Sequence, residues 1–155
     1  MLHENPLVIR NRWMVDLMTD RSCPFCRIMA DELPASRIYE DESTLAFLDI
    51  FPQNDGHTLV VPKKHYEYIY DTPDEEVAHL YKVAKRVACA VKKGVNAGGI
   101  SITQHNGSEA GQDVLHVHVH VIPRYEGQRL RRIEEIREAS REKLDDVARR
   151  IKQFI

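Results

Sequence analysis

The chain has 155 residues, of which 43% are apolar and 30% charged, enough for one globular domain with an appended element. Its 22 basic and 24 acidic side chains leave a formal net charge of -2, which excludes a whole-chain field for nucleic acid but not a local phosphate pocket. No apolar run is long enough to span a bilayer, and three cysteines do not form a secreted disulfide framework.

Residues 1–21 read as an extension with an apolar side made by Leu7, Val8, Ile9, Trp13, Met14, Leu17 and Met18. Arg10, Arg12 and Asp16 break the uninterrupted apolar core that a signal peptide needs, so a reducing cytoplasm is the expected location. The segment from Ser22 to Glu32 predicts a short helix stopped by Pro34. Ser36 to Glu40 and Thr44 to Asp49 predict a hairpin turning at Asp41-Glu42, and His57 to Val61 a third strand closed by Pro62. Thr72-Pro73-Asp74-Glu75 has the pattern of a capping box. Val77, Leu80, Tyr81, Ala84, Val87, Ala88 and Val91 then follow helical spacing, and Cys89 is placed on the apolar side of that helix. Ile100 to Gln104 predicts a fourth strand, Gly107 to Gly111 a glycine-bearing loop, and Leu115 to Ile122 a fifth strand stopped by Pro123. From Glu126 the chain is rich in Arg and Glu. Ile133, Ile136, Ser140, Leu144, Val147, Ile151 and Phe154 form a narrow seam expected on one long helix. The fold class is therefore α+β: an antiparallel five-stranded sheet with one central helix, plus an N-terminal extension (1–21) and a long C-terminal helix (126–155) around a central domain (22–125).

Four of the eight histidines lie between His105 and His120. In His116-Val-His118-Val-His120-Val the side chains of a strand alternate, so three imidazoles share one face and three valines the other. Neighbouring histidines stand about 6.5–7 Å apart. A solvated strand face would more naturally carry Thr, Lys or Glu. Aligned imidazoles, titrating near 6.5 when unperturbed, offer nucleophiles, acids or bases near neutrality. A metal site is the competing reading, since His-x-His on a strand can chelate zinc. Cys23-Pro-Phe-Cys26 is by itself a weak motif.

Together, His116-Val-His-Val-His-Val-Ile, Glu109-Ala-Gly-Gln-Asp-Val-Leu, Phe47-Leu-Asp-Ile and Gly56-His-Thr-Leu-Val-Val-Pro-Lys resemble, in order, the motifs of the histidine triad (HIT) proteins. The resemblance runs from about Ser22 to Tyr125. It implies a HIT-like fold whose sheet continues across a homodimer, and cleavage at the α-phosphate of a purine nucleotide conjugate with no catalytic metal. By this match His118 is the nucleophile that forms a covalent nucleotidyl-histidine. His120 binds the phosphate, His57 orients the triad, and His116 sits at the pocket's edge. Asp49 accepts from the ribose hydroxyls, and Phe25, Ile28, Phe47 and Ile50 form the slot for the base. Gly111 lets the loop approach the phosphate and Gln112 holds its oxygens.

Two residues depart from the pattern. His105 stands where the family often has Asn or Gln, which leaves open whether Asn106 takes over that contact. Asp113 stands where Ser or Thr is common, and a carboxylate there repels phosphate unless it is paired, protonated or turned away. The C-x-x-C pair matches bacterial members that bind structural zinc, with His65 and His116 completing a closed tetrahedral set. The expected activity is hydrolysis or transfer on nucleoside phosphoramidates or adenylates. The alternatives are a dinucleoside polyphosphate hydrolase and, from another class, a zinc-stabilised nucleotide-binding interaction protein with little catalysis. The tail mixes Arg with Glu, so nucleic acid is not an expected partner. Its seam suggests either a partner surface or packing on the chain's own body.

Overall fold

The computed structural model describes residues 20–155, so the extension up to residue 19 lies outside it. The elements run α1 (Pro24–Met29), β1 (Arg37–Glu40), β2 (Thr44–Leu48), β3 (Thr58–Pro62), α2 (Asp74–Gly94), β4 (Gly99–Gln104), β5 (Val119–Arg124) and α3 (Arg141–Lys152). The strands form one sheet in the order β1-β2-β3-β5-β4, antiparallel throughout. The expected α+β class, with five strands and one central helix, is what the chain adopts.

Every residue of β2 and β3 is buried, because both faces of the sheet are covered. Ala46, Leu48 and Val60 point to one side, with Val117, Val119 and Val121. There they meet Leu80, Val83, Ala84 and Val87 of α2 and Leu144, Val147 and Ile151 of α3. Leu45, Phe47, Leu59 and Val61 point to the other side and pack on Cys23, Phe25, Cys26 and Ile28 of the first helix region. One face therefore carries the main core. The other carries a smaller cluster that borders the histidines.

Helix α2 begins at Asp74 without the expected side-chain cap. The Thr72 hydroxyl instead donates to the Tyr68 carbonyl at 3.0 Å. Asp74, Glu75 and Glu76 in the first turn and Lys92 and Lys93 in the last complement the helix dipole instead. Cys89 is exposed rather than core, since the face against the sheet is taken by Val83, Ala84, Val87, Ala90 and Val91. At its end α2 crosses α3 closely. A Cβ on Gly94 would lie 2.6 Å from the Ile151 Cα, a backbone contact that cannot turn aside. Gly94→Ala is expected to destabilise the fold by about 2 kcal/mol or more, read as a lowered denaturant midpoint at unchanged slope.

The tail differs from one long helix. A single 3-10 turn covers Ile133–Glu135, and α3 starts only after Ser140, whose hydroxyl accepts from the Lys143 amide. On either side of that turn the backbone is used on the loop after β2. The Arg131 amide donates to the Gln53 carbonyl at 3.1 Å and the Ala139 amide to that of Ile50 at 2.8 Å. Asp55 holds the segment by pairing with Arg131 and Lys143 at 3.0 and 2.9 Å. Of the seam, Leu144, Val147 and Ile151 are buried against the chain's own core, while Ile133 is 86% exposed.

Strand β5 is shifted from its expected position. It starts at Val119, because the Val117 amide is taken by the Tyr66 carbonyl at 2.7 Å, and it runs through Pro123 rather than stopping there. Pairing with β3 ends at Val121, so Pro123 sits where the ladder is one-sided and a missing N–H is tolerated.

Candidate functional site

The histidines keep the alternation read from the sequence although only His120 lies within the strand. Val117, Val119 and Val121 enter the core, and the three imidazoles emerge on the opposite face. His118 is buried, and its Nδ1–H donates to the His116 carbonyl at 2.6 Å. That bond leaves the lone pair on Nε2, the nitrogen that faces outward. The Phe25 ring meets the His118 imidazole edge-on at 5.2 Å and fixes its plane.

Behind it runs a short relay. The Gln53 amide donates to His57 Nδ1 at 3.1 Å, so His57 carries its proton on Nε2. That N–H donates to His120 Nδ1 at 2.9 Å. His120 must then carry its own proton on Nε2, as a donor. Burial, followed by the neighbouring imidazoles, pushes His57 down to about 3 and His120 down to about 4. Both rings are neutral near pH 7. His120 can therefore hold a phosphate oxygen as a neutral donor, and the contact of His57 with Asp49 at 3.7 Å is not ionic.

The site opens into a cavity of about 520 Å³. Phe25, Ile28, Phe47, Asp49, Ile50, Asp113, His118 and His120 all line it, so most of the expected nucleotide residues meet in one place. Burial raises the Asp49 carboxyl to about 6, although its Oδ1 accepts from the Phe51 amide at 2.9 Å. Asp113 Oδ1 lies 3.5 Å from His118 Nε2, and a hydrogen bond there, which forms when Nε2 carries a proton, is the largest of the causes that hold Asp113 at about 2. The carboxylate thus faces the triad's middle ring and is not turned away. The His105 ring stands 5.5 Å from that of His120.

The other expected residues serve the loop. Asn106 accepts from the Ile69 amide at 2.8 Å and exchanges bonds with Gln104. Gln112 donates to the Glu67 and Val114 carbonyls and accepts from the Gly107 amide. Gly111 takes a left-handed φ of 87° that closes the turn. A direct bond from the Gln112 amide to phosphate would have to replace one of these.

Glu138, Ala139 and Arg141 of the tail also line the cavity. Nothing in the residue pattern signals this, because the apolar spacing there reads as a helix seam. The segment reaches the cavity through its backbone bonds to Ile50 and Gln53, together with the side-chain contacts of Arg131, Arg141 and Lys143.

His116 is turned away from the cavity. It is fully buried beside Cys23, Cys26 and His65. Its Nδ1 lies 3.4 Å from Cys23 Sγ, 3.7 Å from Cys26 Sγ and 3.2 Å from His65 Nδ1. Cys26 Sγ is 3.4 Å from the same His65 nitrogen. The edges of a zinc tetrahedron with thiolate and imidazole ligands are about 3.3–3.8 Å. The outer contacts agree with such a centre. His116 Nε2–H donates to the Pro62 carbonyl at 2.8 Å, and Asp20 lies 3.9 Å from His65 Nε2. Both leave Nδ1 free as the ligand atom. Cys23 is held well below the ordinary thiol range, chiefly by its hydrogen bond with Cys26, which is pushed up in turn. These four residues fit a metal ion.

The profile of the HIT domain family matches residues 30–127. An uncharacterised HIT-like protein of Methanocaldococcus jannaschii is 48% identical over 130 residues, covering 84% of this chain and 98% of the relative. A Zn-bound histidine triad family protein of Mycobacterium smegmatis superposes with a TM-score of 0.76 at 41% identity, covering 85% of this chain and 91% of the other. The adenylylsulfatase HINT3 of Arabidopsis thaliana is 36% identical over 104 residues, 67% of this chain and 53% of the relative.

Proposed function

The chain belongs to the HIT family, and from that premise we propose that it hydrolyses purine nucleoside phosphoramidates or adenylates through a nucleotide held covalently on His118. The observation that carries this reading is the His118 ring itself. Its Nδ1–H is fixed on a backbone carbonyl at 2.6 Å, and its Nε2 opens on a cavity that also holds Asp49 and His120. The relationship to an adenylylsulfatase supports chemistry at a nucleotide's α-phosphate.

In this reading the base lies among Phe25, Ile28, Phe47 and Ile50. Asp49 accepts from the ribose hydroxyls, and His120 donates Nε2–H to a phosphate oxygen. Zinc held by Cys23, Cys26, His65 and His116 would fasten α1 to the sheet and thereby seat Phe25. A homodimer fits the exposed edge of the sheet, where β4 ends the strand order and Ile102 is exposed. The free thiols suit a reducing compartment. No described helix is long and apolar enough to cross a membrane.

The test is AMP release, without added metal, from an adenosine phosphoramidate and separately from diadenosine polyphosphates. The reading requires turnover of the phosphoramidate. Binding of nucleotide with release from neither substrate would leave a nucleotide-binding protein.

Asp49 adds a pH signature. A folded-state value raised from 3.8 to about 6 means the folded chain binds that proton more tightly than the unfolded one. Stability on this account falls as pH rises from about 4 to about 6 and stays lower above. Asp49→Asn is expected to be more stable than wild type at pH 7.5, by up to about 3 kcal/mol, with little gain at pH 4. Its KM rises, since the carboxylate that accepts two hydroxyls is gone. In wild type KM falls as pH rises through about 6. A flat KM profile would remove Asp49 from the ribose site.

A further inference from the structure

The charge around the cavity does not suit a polyanion. Its charged lining residues are Asp49, Asp113 and Glu138 against the single Arg141. That guanidinium already donates to Ser36 Oγ at 3.0 Å and to the Pro34 carbonyl at 3.3 Å. No lysine lines the cavity among the described residues.

Asp113 is the acid nearest the chemistry, 3.5 Å from His118 Nε2, yet its side chain is 77% exposed at the mouth. With the nucleoside in the apolar interior, as proposed above, the phosphorus approaches His118 Nε2 and the departing group is left on the solvent side, where Asp113 stands.

We propose that Asp113 selects the leaving group, so that the substrate carries a positively charged amine beside its scissile P–N bond and anionic polyphosphate leaving groups are disfavoured. This rests on His118 being the nucleophile. In the first step the His118 Nε2–P bond forms as the P–N bond breaks. The electron pair goes with the amine nitrogen, which takes a proton from water at the open mouth. The nucleotidylated ring is an imidazolium, and Asp113 faces that charge as well. Water then adds to phosphorus, the P–Nε2 bond breaks, its electron pair returns to the ring, and the water's proton leaves to solvent with AMP.

Three adenosine 5′-phosphoramidates of matched size test this, made with 1,2-diaminoethane (cationic), propylamine (neutral) and glycine (anionic). All are assayed with no divalent cation added to the buffer, so that none neutralises the substrate while the protein keeps its own metal. Wild type is expected to rank them cation over neutral over anion, with about tenfold or more in kcat/KM from first to last. The spread should narrow with added salt, because Asp113 is exposed. Asp113→Asn, checked by its melting curve, should bring the three rates together. Equal wild-type rates on all three, or a spread that survives Asp113→Asn, overturn the selection by Asp113 while leaving the hydrolase intact. Hydrolysis of none of them by wild type overturns the nucleophile and this proposal with it.

Discussion

His118→Ala is expected to release AMP from an adenosine phosphoramidate at least about 10³-fold more slowly than wild type, with AMP still bound. The size follows from the role. A nucleophile supplies a separate reaction path, and its removal leaves only positioning and hydrogen bonding from the rest of the site. Binding should survive because Ile28, Phe47 and Ile50 of the apolar slot and Asp49 all remain, although Phe25 loses one edge contact, and because His57 and His120 remain joined at 2.9 Å. His120→Ala should behave differently, since it removes a donor to phosphate and leaves the attacking nitrogen in place. Its loss should be smaller and should appear mainly in kcat. Equal losses in the two variants would argue that the triad acts as a unit, with no single attacking ring.

The second large effect concerns the cysteine cluster. Cys26→Ser is expected to lower the melting temperature by about 10 °C or more and to lower activity with it. The chain should carry one zinc per protomer, which the variant loses. Cys23 precedes α1, Cys26 lies inside it, His65 follows β3 and His116 precedes β5. A metal joining these four is a single link among three parts of the fold. Phe25 lies between the two cysteines and packs edge-on against both His116 and His118, at 5.7 and 5.2 Å. Loosening α1 thus reaches His118 through one ring. A strong chelator should reproduce the variant's melting curve. If the protein carries no metal and Cys26→Ser melts like wild type, the pair is a buried packing contact.

The sequence made the site more legible than the tail, for a physical reason. Alternation in a strand is a strict period of two. The valines of His116 to Val121 therefore fixed which way the histidines face, even though the regular ladder starts only at Val119. The C-x-x-C spacing and His65 likewise met His116 in one cluster. Tertiary geometry decided the rest. Nothing in the order of residues shows that the Gln53 amide sets the His57 tautomer, which in turn sets that of His120. The tail's apolar spacing read as one helix from Ile133 onward. The backbone of Arg131 and Ala139 instead bonds to the loop after β2, which holds the intervening segment against the cavity and delays α3 until Ser140. The Thr72 cap failed in the same way, because the hydroxyl found the Tyr68 carbonyl. Asp113 is recognisable as a departure, but its approach to His118 depends on a loop turn that only the folded chain shows.

The most direct test of a covalent route is a rapid quench in base during a single turnover with the adenosine phosphoramidate, followed by mass analysis of the peptide that contains His116 to His120. One nucleotidyl group on His118 is expected, formed and lost at rates that account for AMP release and absent in His118→Ala. AMP release with no labelled peptide at any time, or label on another residue, would contradict His118 as the nucleophile.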